Sequence, residues 1–173
     1  MIVVVAGVSG SGKTTVGVLL AKTLGWHFTD GDALHPAANI AKMRAGQPLT
    51  DADRKPWLDR VVAWMDGYLA SGQPAVLACS ALKRSYRGEL RAAGPGVRIV
   101  FLEVSRSVLA ARLGGRHDHF FPAALLDSQL ATVEVPQPDE DVLVLPASAR
   151  PGQEVRDIMA YYQLQPAPGR MVP

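Results

Sequence analysis

Short apolar runs alternate with longer stretches whose apolar residues recur every three or four positions, and this alternation predicts a parallel sheet covered by helices on both faces. The first run, Ile2-Val3-Val4-Val5-Ala6, is continuous and β-branched, as a strand buried on both sides should be. From Thr14 to Leu24 the apolar positions are Val16, Val18, Leu19, Leu20 and Leu24, and Gly25 supplies a helix stop. Trp26 to Thr29 reads as a short strand running into Asp30-Gly31-Asp32. A short helix is expected from Pro36 to Ala45, with Pro36 at its first position and Gly46 at its end. Thr50 or Asp51 then caps a longer helix bearing Trp57, Leu58, Val61, Trp64, Met65, Tyr68 and Leu69, and Pro56 places the start of its regular part nearby.

Gly72-Gln73-Pro74 breaks that pattern before Ala75 to Cys79, another buried strand. A basic helix is expected from about Arg84 to Ala93, a strand from Val97 to Val104, and a helix capped by Ser105 with Val108, Leu109 and Leu113 on its apolar face. Residues 114–121 have no period and read as a flap. Pro122 opens a helix reaching about Glu134, Val142 to Leu145 is the last strand, and Glu154 to Leu164 the last helix. The end of the chain, with Pro166, Pro168 and Pro173, reads as a loose tail.

A length of 173 residues suits one domain, and no linker or repeat divides it. The formal charge of +2 is too small to argue for nucleic acid. Cys79 is the single cysteine, which excludes an internal disulfide and fits a reducing compartment; at the end of a buried strand it reads as a small apolar filler. The first strand begins at once, leaving no room for a signal peptide's charged region, and no apolar run approaches the ~20 residues that span a bilayer. A cytoplasmic protein that does not engage membranes is expected.

The chemistry starts at Gly7-Val8-Ser9-Gly10-Ser11-Gly12-Lys13-Thr14, a G-x-x-x-x-G-K-[ST] pattern between a strand and a helix. Glycines let successive N–H groups face one concavity, and the helix behind aims its positive dipole end at the same place. Lys13 adds a mobile cation for the β- and γ-phosphates and Thr14 a hydroxyl for Mg²⁺. Gly7, Ser9, Gly10, Ser11, Gly12, Lys13, Thr14 and Thr15 are therefore the expected nucleotide-binding set. No Asn-Lys-x-Asp motif occurs, and the strand at Ala75 to Cys79 runs into Ser80 where a mechanical ATPase would carry aspartate. Asp30-Gly31-Asp32 beside the loop points instead to a small-metabolite kinase.

Several stretches carry a resemblance. Asp30-Gly31-Asp32-Ala33-Leu34-His35-Pro36, then Asn39, Lys42-Met43, Gly46, Pro48-Leu49, Asp51, Asp53-Arg54 and Pro56-Trp57-Leu58, resemble the bacterial and eukaryotic gluconokinases. So do Cys79-Ser80-Ala81-Leu82-Lys83 with Tyr86-Arg87, then His119-Phe120-Phe121, and Ser128-Gln129 with Glu134. The resemblance implies an α/β, three-layer P-loop fold of the shikimate-kinase and nucleoside-monophosphate-kinase group. It further implies a five-stranded parallel sheet in the order 2-3-1-4-5, a lid at about residues 114–121 and a substrate-binding helical segment at about 33–71. The implied reaction is ATP-dependent phosphorylation of D-gluconate to 6-phosphogluconate by a homodimer. Shikimate kinase, nucleoside-monophosphate kinase and a non-catalytic nucleotide-binding module stand as alternatives.

Gluconate has a carboxylate at one end and a primary hydroxyl at the other, so its site needs cations for the first and a carboxylate near the second. Asp32 is the candidate for the acceptor hydroxyl and Asp30 for Mg²⁺, a division that follows the shikimate-kinase-like pattern; the bland reading is two carboxylates capping a turn. Arg54 is the first candidate for the substrate carboxylate, because guanidinium pairs with it bidentately. Lys83 and Arg87 follow, against the plain reading of Lys83, Arg84, Arg87 and Arg91 as a solvated helix face. By the resemblance Arg112 lies by the adenine and Arg116 reaches the transferring phosphates; otherwise both are surface residues. His35, His117 and His119 lack metal-site spacing and read as hydrogen-bonding loop residues. Trp57 and Trp64 read as core or substrate wall.

Overall fold

Five residues with no polar side chain, each flanked by its own kind, cannot stand at a sheet edge, and the opening strand lies at the centre of the molecule. A computed structural model of the protein describes residues 1–109, 123–147 and 150–173. In chain order the elements begin with β1 (Ile2–Ala6), α1 (Lys13–Leu24), β2 (His27–Asp30), α2 (Ala37–Arg44) and α3 (Asp51–Ser71). They continue with β3 (Ala75–Cys79), α4 (Arg84–Ala92), β4 (Val97–Glu103), α5 (Ala123–Thr132), β5 (Leu143–Pro146) and α6 (Pro151–Tyr161). Short 3₁₀ turns occupy Gly31–Leu34 and Pro138–Glu140. Residues 106–109 are helical, led by Ser105, whose Oγ accepts from the Val108 N–H.

Among the described residues five strands form one parallel sheet in the order β2-β3-β1-β4-β5, as the resemblance implied. Alternate residues of each strand face opposite layers. Val4, Leu77, Ile99 and Phe101 pack with Trp57, Leu58, Val61 and Met65 of α3 and Tyr86 and Leu90 of α4. On the other face Val3, Val5, Val100 and Leu102 pack with Val16 and Leu20 of α1 and Val155, Ile158 and Met159 of α6. Register then sets up the functional edge: Ala6 lies opposite Cys79, and Asp30 opposite Ala78. The glycine loop, Asp30-Gly31-Asp32 and Ser80 consequently leave the sheet side by side. Gly31 has to be glycine, because a Cβ there would lie 2.7 Å from the Ala78 carbonyl oxygen.

Several boundaries differ from the sequence reading. Pro36 stands just outside α2, as its cap. α3 starts at Asp51, five residues before Pro56, which lies inside it. The reason is a strong start: Thr50 Oγ1 accepts from the Asp53 N–H while Asp53 accepts from the Thr50 N–H, a reciprocal cap that outweighs the one backbone bond lost at Pro56. Lys42 ties down the same Asp53 carboxylate and, with Thr50, holds its pKa at about 2. α6 begins at Pro151 rather than Glu154, since proline suits a helix's first turn. Val108 is exposed and only Leu109 of its pair enters a core. The tail is not loose: the Ala167 N–H donates to Thr23 O at 3.0 Å, and the Arg156 guanidinium bonds the Pro173 carbonyl. Among the described residues no helix is long and apolar enough to cross a membrane.

Candidate active site

The loop after β1 turns through Gly7, Gly10 and Gly12 at φ values of 138°, 79° and 104°, a region that side chains strain to enter. α1 begins at the next residue with no capping side chain and no acid in its first turn. Its first N–H groups therefore have no capping side chain and no acid of the helix's own, which is the arrangement that binds phosphate. Lys13 folds back so that Nζ donates to Val8 O at 3.0 Å. Burial pushes its pKa below the usual lysine value, while the charges of Asp32 and Asp30 oppose that shift. The loop is anchored to its neighbour strand by the Gly7 N–H on Ser80 O, 3.2 Å. Thr14 and Thr15 stand exposed on the first turn of α1.

Asp30 is where the two loops meet. Its Oδ2 accepts from Thr14 Oγ1 at 2.8 Å and its Oδ1 from the Asp32 N–H at 3.0 Å. A hydroxyl and a carboxylate at one point, beside a phosphate cradle, are hard oxygen donors of the kind Mg²⁺ takes together with nucleotide phosphates. Capping the turn and holding a metal are thus both within reach of Asp30. Asp32 makes no such commitment with its side chain, which is 73% exposed.

A cavity of about 300 Å³ opens at this edge of the sheet. Lys13, Asp32, Arg54, His35, Trp57 and Gln129 line it, so the phosphate loop, the acidic turn and α3 contribute to one space. Apolar groups from α2 and the loop after it, Ile40, Met43 and Leu49, form another part of the wall. Trp57 is nearly fully buried and its indole Nε1 donates to Gly31 O at 2.8 Å, so it is core and cavity wall at once. Trp64 packs on Tyr68 at 4.5 Å, away from the cavity lining.

The structure separates the three cations expected to meet a substrate carboxylate. Arg54 lines the cavity, with Asp51 Oδ1 3.5 Å from its guanidinium. Lys83 does not line it; both Asp51 oxygens hold its ammonium, at 2.6 and 2.8 Å, and Tyr86 donates to the same carboxylate at 2.6 Å. Lys83 therefore acts on the cavity only through Asp51 and Arg54. Arg87 is the clear correction. It is fully buried, pairs with Glu140 through two bonds of 2.7 and 2.9 Å, and donates to Ala81 O and Leu82 O. These bonds take four of its five N–H donors, and the side chain does not line the cavity.

The solvated-face reading of this helix fails at Arg87 and holds at Arg84, which is exposed although paired. Arg84 pairs with Asp139, Arg87 with Glu140 and Arg91 with Asp141, so α4 clamps the acidic turn before β5. Three arginines along one helix face and three consecutive acids were both visible in the chain; their pairing across fifty or more residues was not. Glu134 also closes on this helix, accepting from the Arg84 N–H at 2.7 Å.

Three lining residues escaped the sequence reading. Gln129 accepts from the Ser9 N–H at 2.8 Å and so joins α5 to the phosphate loop. Arg44, at the end of α2, adds a second guanidinium to the wall. His35, read as a hydrogen-bonding loop residue, does bond Asn39 at 3.2 Å, and is in addition buried and stacked on Trp57 at 4.7 Å. Cys79 is buried, and burial pushes its thiol up to about 12, consistent with an inert filler. Arg112 and Arg116, His117 and His119, and the lid at 114–121 lie outside the described residues.

A sequence family described as an AAA domain matches residues 2–136. The chain is 51% identical to a gluconokinase of Gluconobacter oxydans over 94% of its length and 91% of the relative's. A sugar kinase structure from a Janibacter species superposes with a TM-score of 0.89 at 44% identity, covering 94% of each chain. A gluconokinase structure from Sinorhizobium meliloti gives a TM-score of 0.80 at 46% identity, covering 93% of this chain and 95% of that one.

Proposed function

The chain belongs to the gluconokinase family, and from that premise we propose that it phosphorylates D-gluconate with ATP, transferring the γ-phosphoryl group to the 6-hydroxyl. One observation supports the assignment of roles above all others: Lys13, Asp32 and Arg54 line a single cavity. The donor's phosphates would lie in the turn built by Gly7, Ser9, Gly10, Ser11 and Gly12 and against Thr15, with Lys13 toward their outer oxygens; the Gly7, Ser9 and Ser11 N–H groups shape that turn through bonds to Ser80, Gln129 and Val8. Thr14 and Asp30 would hold Mg²⁺, which would supply charge neutralisation on the phosphates. Arg112 is assigned to the adenine and Arg116 to the transferring group, by family resemblance.

Phosphoryl transfer asks a protein mainly for positioning and charge compensation. Asp32 accepts the hydrogen bond of the 6-hydroxyl, aims that oxygen at the γ-phosphorus and takes its proton as the new P–O bond forms. The bond to the β-phosphate oxygen breaks, and ADP leaves carrying that electron pair. Arg54 fixes the far end of the substrate by pairing with its carboxylate, and the apolar wall with Trp57 confines the carbon chain between. Arg54→Ala is expected to raise the KM for gluconate about 10- to 100-fold, the worth of a charge-assisted pair, with the KM for ATP unchanged. Steady-state kinetics with each substrate varied separately checks this; an unchanged gluconate KM would move the carboxylate contact to Arg44.

A further inference from the structure

Asp53, Asn39 and Trp57 together determine how His35 faces the cavity. Asn39 is buried, and its Nδ2 lies 2.8 Å from the backbone carbonyl oxygen of Asp53 and 3.2 Å from His35 Nδ1. A carbonyl oxygen can only be met by an N–H, so Asp53 settles which end of the Asn39 amide points there. The second N–H of that amino group then meets His35 Nδ1, which must present a lone pair. With Nδ1 bare, a neutral imidazole carries its proton on Nε2. That nitrogen looks toward Asp32, whose Oδ1 is 4.0 Å away.

The ring cannot easily turn elsewhere. It lies nearly flat on Trp57, 9° from parallel, and Trp57 is pinned through its own indole to Gly31. Burial lowers the His35 pKa and the charge of Arg54 adds to that, against the pull of Asp32. The carboxylate opposite is the mobile partner: Asp32 is largely exposed, and rotation of its side chain closes the remaining gap. At 4.0 Å the two groups do not share a hydrogen bond in this structure; contacts between catalytic groups often tighten only when substrate arrives.

We propose that His35 is a positioning residue for phosphoryl transfer, its Nε2–H orienting the Asp32 carboxylate toward the acceptor hydroxyl through the chain Asp53–Asn39–His35. The inference rests on the role given to Asp32 above. One Asp32 oxygen takes the imidazole proton's hydrogen bond, and the other is left to receive the substrate's.

The two amide replacements of histidine, together with a double-mutant cycle on Asp32, separate this from a merely structural role. His35→Asn keeps an acceptor where Nδ1 was but has nothing at Nε2. His35→Gln carries an amide N–H out to the Nε2 position while giving up the bond to Asn39. Asparagine is expected to lower kcat by about 10²-fold, the cost of a misplaced catalytic group, with ATP KM and thermal midpoint near those of the wild type. Glutamine is expected to recover turnover to within about three-fold of wild type, under 1 kcal/mol of barrier. In an Asp32→Asn background the asparagine change should add less than about two-fold, since coupled residues do not add. A role confined to the Asn39 bond predicts the reverse order and packing alone predicts a full repeat of the loss in the Asp32→Asn background; either result overturns the proposal. Should His35→Asn unfold, His35→Gln alone decides, and a 10²-fold loss there is equally fatal. Wild-type turnover in Asp32→Asn by itself would instead overturn the role of Asp32.

Discussion

Asp32→Asn is expected to lower kcat by about 10²- to 10⁴-fold, the range lost when a positioned acid–base group is removed. The substitution keeps size and shape and deletes only the charge and the ability to take a proton. Asp32 accepts no hydrogen bond given in the structure with its own carboxylate and is largely exposed, so the fold has little stake in it. Its neighbour Asp30 keeps both of its bonds, to Thr14 and to the backbone of residue 32, whichever side chain stands there. ATP binding and the thermal midpoint should therefore match the wild type. Burst and steady-state kinetics, with nucleotide affinity measured by calorimetry, check the separation. A variant that loses ATP affinity in parallel with turnover would place Asp32 with the donor rather than the acceptor.

The second large effect concerns stability. Arg87→Ala should cost about 3–5 kcal/mol, because it leaves the buried Glu140 carboxylate without its partner. In a chain of this size that corresponds to a fall in thermal midpoint on the order of 10 °C. The same guanidinium holds the Ala81 and Leu82 carbonyls, in the segment that leaves β3 beside the phosphate loop, and Ala81 adopts a φ of 38° there. Loosening that segment is expected to weaken nucleotide binding as well. Replacing both partners with apolar residues of similar volume should cost far less than removing one.

Acidity gives an independent check on this pair. Arg87, through its hydrogen bonds, holds the Glu140 pKa below the ordinary value, outweighing the opposing effect of burial. A depressed carboxylate pKa adds stability that is complete above the unfolded value of about 4.3 and disappears as pH falls through the folded one. Without Arg87 the buried carboxyl binds its proton more readily than in the unfolded chain. The stability gap between wild type and Arg87→Ala should accordingly be widest at neutral pH and shrink below about pH 4, in urea titrations at a series of pH values.

What could be read from the chain and what could not divides by the distance over which each feature is decided. β1 was legible because a continuous apolar, β-branched run has few alternatives, β3 because a short apolar run is bounded by Pro74 and Ser80, and β4 because Ile99 to Leu102 is apolar behind a Gly-Pro-Gly turn. The phosphate loop was legible because its glycines, lysine and threonine act within eight residues. α3 was legible in its cap at Thr50 but not in its continuity: Pro56 pointed to a regular part beginning nearby, whereas Thr50 and Asp53 cap each other, Lys42 reinforces them from another helix, and the helix runs through from Asp51. Arg87 was misread for a related reason. A basic helix face looks solvated until the acids that meet it are known, and Glu140 comes 53 residues later. His35 shows the same limit at the site itself, since only packing against Trp57 and Asn39 turns a loop histidine into a fixed wall of the cavity. The tail was called loose on its prolines, although Ala167 is bonded to α1.

The glycine loop identifies the donor and leaves the acceptor open; in the proposed reading the acceptor is chosen by Asp32, Arg54 and the wall that His35 and Trp57 build. The most direct test is ADP release measured with ATP against D-gluconate, shikimate and nucleoside monophosphates in turn. The account predicts turnover with D-gluconate that exceeds the others by several orders of magnitude in kcat/KM and yields a 6-phosphate. Faster release with shikimate or a nucleotide, or release that is indifferent to any acceptor, would contradict it.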